Sequence, residues 1–305
     1  MPKKIKRVRP AGAVKLPDHL KENPNTLTFF SESDRTYRYL SDQKTGEAVL
    51  KLEKDQWEFD HLLRSFSPYV RKRIEELFLE EELHASRRMN NLPDAALSPG
   101  HPYSREHEPA DLACFREVLN HKLPMSSMDD LVKAFRRFHE LETAPCPGQK
   151  AGIQEMFDLI QNETQNRYER VLLAFFLYEA LRPFEEEDGR FQRFFTAASL
   201  YELTDSVLSF RFATILIHQN SRYLKAMKEG RSSADTGSLN GYFLAMAEIL
   251  DEGYRKTIAD LRALEARIAR KESAFASFTK AEKNLYHLLY EASLLSEYGI
   301  PNAEL

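Results

Sequence analysis

The chain has 305 residues, 42% of them hydrophobic and 30% charged, with a formal net charge of -4. That is the profile of a soluble globular protein with one large core, and its acidic balance argues against nucleic-acid binding. Two cysteines (Cys114 and Cys146), no apolar run near the ~20 residues that span a bilayer, and no apolar stretch after Met1 exclude a disulfide framework, a membrane helix and a secretory leader, so the expected setting is cytoplasmic.

In chain order, residues 1–25 read as a flexible basic arm. Lys3, Lys4, Lys6, Arg7 and Arg9 supply its charge, and Pro2, Pro10, Pro17 and Pro24 prevent regular structure. Arg35–Leu40 and Glu47–Leu52 alternate in polarity on either side of Asp42–Gly46, which predicts a β-hairpin with Gly46 near its turn. From Lys54 the pattern is helical, with Trp57, Leu62, Leu63 and Phe66 on one face. Pro68 opens a second helix that carries Val70, Ile74, Leu77, Phe78 and Leu83 as far as Met89, where Asn90–Pro93 stops it. Leu97–Pro109 reads as a loop, helices follow at Ala110–His121 and Met128–Leu141, and Thr143–Gly148 is a break.

A short helix at Ile153–Ile160 precedes the most apolar helix, which runs through Val171–Tyr178 into the polar stretch Leu181–Arg193. A further helix leaves that stretch through Phe194, Phe195, Ala198 and Leu200, with Asp188 as its expected N-cap. Ser206–His218 has no clean period and reads as helix or turn, and Asn220–Lys228 is helical by composition. A long stripe at spacings of three and four predicts a helix over Ser238–Lys271, with a bend at Gly253, and a last helix covers Lys280–Leu295. The fold class is all-α, a helical bundle with one small N-terminal hairpin.

The stretch Arg182-Pro-Phe-Glu-Glu-Glu-Asp-Gly-Arg-Phe-Gln-Arg193 resembles the Fic/Doc (Fido) signature, His-Pro-Phe-x-Asp/Glu-Gly-Asn-Gly-Arg-x-x-Arg. Pro183, Phe184, Glu186, Gly189, Arg190 and Arg193 match it, whereas Arg182 stands at the catalytic histidine, Glu187 at the first glycine and Asp188 at the asparagine. Glu82–Asn91 is similar to the family's inhibitory helix, Ser-x-x-x-Glu-Gly/Asn: Ser86 and Asn91 match, and Asn90 replaces the glutamate that pairs with the last signature arginine. Tyr223–Met227 resembles a Tyr-Tyr-x-x-Leu segment near the nucleotide, and the region from Phe278 resembles the start of a winged-helix appendage that stops before a recognition helix. The resemblance divides the chain into the arm (1–25), the hairpin and inhibitory-helix region (26–109), a Fic-like core (110–272) and a truncated appendage (273–305). The family's β-hairpin flap finds no room between Gly148 and Ile153.

The resemblance implies transfer of a nucleoside monophosphate, usually AMP from ATP, to a protein hydroxyl. Arg182 cannot act as its base, because a guanidinium stays protonated; it either clamps a phosphate or pairs with a neighbouring acid. Glu186 is the candidate magnesium ligand, or an exposed acid in an acid run. Glu187 adds bulk and charge where the family's glycine lets backbone approach phosphate, and Asp188 caps the following helix. Gly189, Arg190 and Arg193 are the candidate phosphate-binding residues. The alternative is that the arginines neutralise Glu185–Asp188, since Arg182–Arg193 carries three positive and four negative charges. Tyr223 either stacks on an adenine or belongs to the core.

Loss of the base together with the inhibitory glutamate points to a protein without standard adenylyltransferase activity, acting as a binding or regulatory module on a target protein. The alternative is an active transferase with altered chemistry that uses Mg-ATP; otherwise no cofactor is implied. The long apolar-striped helix also suggests a homo-oligomer.

Overall fold

The computed structural model describes residues 26–30, 36–92, 109–142, 144–146, 148–185, 189–234 and 237–272, with four further positions at 278, 279, 282 and 285. The basic arm, most of the 97–109 loop, Glu186–Asp188, and most of the last helix and of the winged-helix-like appendage lie outside the described residues. Helices dominate, as the periodicity predicts, beside one antiparallel strand pair.

The predicted hairpin needs correction. Its first strand is real, but as β2 (Thr36–Leu40) it pairs with a preceding strand, β1 (Thr26–Phe30), in a register from Thr26↔Leu40 to Phe30↔Thr36. Glu47–Leu52 belongs instead to helix α1 (Gln43–Ser65). Asp42 starts that helix with a capping box: its carboxylate accepts from the Thr45 backbone N–H at 3.0 Å, and the Thr45 hydroxyl accepts from the Asp42 N–H at 2.9 Å. Thr45, Val49, Leu52, Gln56 and Phe59 are buried at spacings of three and four, whereas Leu50 faces solvent. The short alternation was therefore a slice of helical period.

Ser67 and Pro68 open α2 (Pro68–Met89), which is followed by α3 (Ala110–Leu119), α4 (Met128–His139) and α5 (Lys150–Ile160). No strand lies between α4 and α5 among the described residues. Next come α6 (Arg167–Leu181) and α7 (Arg190–Thr204), joined by the polar stretch. A 3-10 turn at Val207–Arg211 runs into α8 (Phe212–His218), and α9 (Asn220–Ser232) and α10 (Asn240–Glu272) complete the bundle.

α6 and α7 are the centre: residues Val171–Tyr178 and Phe191–Tyr201 are buried throughout. A helix that is apolar all round has to be enclosed by others. α10 packs along α1, and α2 packs against α3 and α8. The strands close one end, where buried Tyr37 meets Phe176 and Tyr39 meets Phe243 edge-on. α10 runs through Gly253 without a break in the helix. The glycine instead admits close packing: a Cβ there would sit 2.4 Å from Ile215 Cγ1. Among the described residues no helix is long and apolar enough to cross a membrane.

Candidate functional site

The polar stretch between α6 and α7 is built on buried aromatic anchors. Phe184 is enclosed and stacks on Phe135 of α4 with ring centroids 3.8 Å apart, while Phe191 meets Phe135 edge-on at 5.0 Å. The Cys146 backbone N–H donates to the Pro183 carbonyl at 2.8 Å, tying the stretch to the segment before α5. Arg182 caps the C-terminus of α6 in a left-handed conformation (φ 46°, ψ 70°), and its N–H donates to the Tyr178 carbonyl at 2.9 Å. Its side chain is exposed.

The start of α7 differs from expectation. The N-cap is Gly189 (φ 80°), with no side-chain cap bond, rather than Asp188. Glycine tolerates this backbone, and it also leaves space, since a Cβ would lie 3.1 Å from a terminal nitrogen of Arg193.

The two signature arginines leave α7 in different directions. Arg193 is buried against α2: its Nε donates to Ser86 Oγ at 3.1 Å, a terminal nitrogen donates to the Ser86 carbonyl at 2.9 Å, and the same nitrogen donates to Asn90 Oδ1. Arg190 turns towards α3 and α4. It donates to Asp111 Oδ2 at 3.4 Å, its other terminal nitrogen is 3.3 Å from His139 Nδ1, and its guanidinium lies 5.8 Å from the centroid of Phe138. Asp111, almost fully buried, also takes a bidentate contact from Arg87 of α2 at 2.8–3.1 Å. The expected acids Glu186–Asp188 lie outside the described residues, and these arginines have firm partners elsewhere.

A cavity of about 460 Å³ opens beside the stretch. Arg182, Glu185, Gly189 and Arg193 line it, together with Asn90 from α2, Tyr178 and Glu179 from α6, and Asn220, Tyr223 and Leu224 from α9. Arg190 does not line it. Arg182 and Arg193 balance Glu179 and Glu185 in formal charge. Tyr223 is both core and cavity wall: it is 8% exposed, and burial pushes its phenol up to about 12, so it stays neutral at ordinary pH.

No protein-family model matches the sequence, and no curated protein is significantly similar to it. Solved structures supply the likeness. A Fic family protein from Desulfovibrio desulfuricans G20 superimposes with a TM-score of 0.57 at 14% identity, covering 73% of this chain and 76% of that one. Fic-1 from C. elegans gives a TM-score of 0.52 at 15% identity, over 72% and 73% of the two chains. This chain has the Fic fold.

In that fold the segments with a sequence resemblance come together. Ser86 and Asn90 of the inhibitory-helix-like segment touch Arg193, and Tyr223 reaches the same cavity as Arg182. Arg190 is the departure, because Asp111 and His139 hold it outside the cavity of this Fic-fold chain. Sequence reasoning missed Asp111. The available signal was an acid on the apolar face of a helix, in phase with Phe115 and Val118, where burial demands a charged partner. Among the described residues no group of three or more His, Cys, Asp or Glu side chains is arranged to hold a metal ion. Glu186, the expected magnesium ligand, lies outside them.

Proposed function

We propose that this Fic-fold chain is a binding or regulatory module that lacks the ordinary adenylyl-transfer chemistry of the family it resembles. Arg182 carries the reading. It stands at the position of the family's catalytic base, is exposed and lines the cavity, and a guanidinium cannot accept a proton from an attacking hydroxyl. Loss of a general base alone removes ~10²–10⁴-fold of rate. The bonds that Ser86 and Asn90 make to Arg193 support the same reading, because an anion would have to compete with them.

Calorimetric titration with ATP and magnesium is expected to give no heat, and a labelled-nucleotide transfer assay no product. Transfer by the unaltered chain would overturn the proposal. Arg182→His, alone and with Glu187→Gly, asks whether the fold still supports the reaction; recovery with the histidine alone would mean that Glu187 is no obstacle.

The second reading is a transferase with altered chemistry, acting on Mg-ATP with Arg182 as a phosphate clamp. Arg182 and Arg193 on one cavity that also contains Tyr223 favour it. Nucleotide binding abolished by Glu186→Ala would select this reading over the first.

A further inference from the structure

We propose that the solvent face of α1 is a self-complementary surface on which a second copy of this chain docks antiparallel, forming a two-fold dimer.

Glu47, Leu50, Lys54, Trp57, His61 and Arg64 are all exposed, and they recur at alternating spacings of three and four along one line of the helix. That is the seam period of a helix pair. Leu50 is 64% exposed and Trp57 69%, the largest exposures among the described large apolar side chains. Trp57 is also the only tryptophan of the chain. Its indole lies parallel to the His61 ring, with centroids 5.5 Å apart and planes at 7°, so the two rings present one continuous surface.

The order of residues on the seam selects the partner. When two such helices run antiparallel about a two-fold axis between positions 55 and 56, Glu47 faces Arg64 of the other copy, Leu50 faces His61, and Lys54 faces Trp57. Each layer then occurs twice by symmetry. The outer layers are opposite charges, the middle layers place Leu50 beside the Trp57–His61 stack, and the inner layers place an ammonium over an indole, the strongest cation–π pairing. A surface that complements itself under a two-fold axis is what an isologous dimer requires. The acids that flank the seam are already engaged within the protomer: Glu58 with Arg262 at 2.6 Å, Glu53 with Asn166 at 2.8 Å and Asp60 with Ser206 at 2.6 Å. Glu53 and Glu58 thus have partners other than the seam cations, while Asp60 also senses the charge of Arg64 on its own helix. This surface is distinct from the cavity beside Arg182, and the inference holds whether or not that cavity binds a nucleotide.

Sedimentation velocity of the full chain at low salt, from dilute to concentrated, tests the proposal, with emission of the sole tryptophan as a second readout. The expected result is a monomer–dimer equilibrium with a blue shift of Trp57 emission on association. Glu47→Arg and Arg64→Glu should each weaken the dimer by about tenfold or more, since each places two like-charge pairs in the interface. The double variant, and an equimolar mixture of the two single variants, should both regain dimerisation, because either arrangement restores the opposite charges. Trp57→Ala should abolish the dimer while circular dichroism shows an unchanged fold. A monomer at every concentration, a dimer indifferent to Trp57→Ala, or charge reversals that fail to rescue one another would each overturn it.

Discussion

The guanidinium of Arg193 on α7 donates to the side-chain oxygen of Asn90 at the end of α2, so the last signature arginine is tied to the inhibitory-helix-like segment by a neutral acceptor. The same arginine takes two more acceptors from Ser86. Giving the acceptor a charge should strengthen the tie. Asn90→Asp is expected to stabilise the fold by ~1 kcal/mol, the usual gain from a charged over a neutral hydrogen bond. It should also weaken any binding of pyrophosphate. Asn90→Ala should do the opposite on both counts. Urea unfolding and calorimetric titration measure the two effects, and equal behaviour of the two variants would show that the contact does not govern the cavity.

Arg182 has a left-handed backbone, which costs a non-glycine residue roughly 1–2 kcal/mol. Arg182→Gly relieves that cost and adds back about 0.5–1 kcal/mol of glycine entropy. Its expected effect on stability therefore lies between neutral and ~1.5 kcal/mol favourable. Arg182→Val cannot adopt this backbone readily and should destabilise by more than ~1 kcal/mol. Thermal unfolding of the pair separates backbone strain from the loss of the side chain, because both variants remove the guanidinium.

Gly253→Ala on α10 should cost ~1–3 kcal/mol through overpacking, although alanine is the better helix former. The new Cβ would meet three side-chain atoms of Ile215 at 2.4–2.7 Å, and Ile215 is itself buried. Pairing it with Ile215→Val, which removes one methyl, should recover part of the loss. A stability equal to wild type for Gly253→Ala alone would contradict the close packing of α8 on α10.

Stability should fall as pH rises from about 5 to 8. Glu82, fully buried on α2, is pushed up to about 7 by burial, although the Ala213 and Thr214 N–H groups at the start of α8 partly oppose the shift. Asp55, pushed up to about 6 by burial and by neighbouring Asp251, acts in the same direction. An acid with a raised folded value takes up a proton on folding. Its stabilising contribution is complete below its unfolded value, near 4.5 for Glu82 and 3.8 for Asp55, and is lost as pH climbs through the folded one. For Glu82 that is worth ~3 kcal/mol across the window. Glu82→Gln should be less stable than wild type at pH 5, since an amide has one acceptor oxygen for three donors, and should have a flatter pH profile. A profile unchanged by Glu82→Gln would place the dependence elsewhere.

The all-α class and most helix positions were legible because burial follows a 3.6-residue period, and the long stripe from Leu239 to Leu261 shows it plainly. The start of α1 was not. Six residues of helix and six of strand carry nearly the same apolar pattern, and the deciding cue was Asp42 with Thr45, a capping pair that interrupts any turn reading. At the site, the approach of Ser86 and Asn90 to Arg193 was recoverable only through the family resemblance, because it joins residues 103 and 107 positions apart. The contact of Arg190 with Asp111 had no such guide, and three-residue spacing did not show that the two guanidiniums reach partners on different helices. Spacing fixes where a side chain leaves its helix; partners on other helices decide where a long cation ends.

The stacking of Phe184 on Phe135 and the packing of Phe191 beside them have a consequence for how this chain can change over time. Phe184 and Phe191 fasten the polar stretch by carbon, at positions that do no chemistry. Substitution of the exposed Arg182 side chain by one that accepts its backbone therefore alters what the cavity presents without loosening these anchors. Such a design separates the side chains that hold the architecture from those that face the cavity.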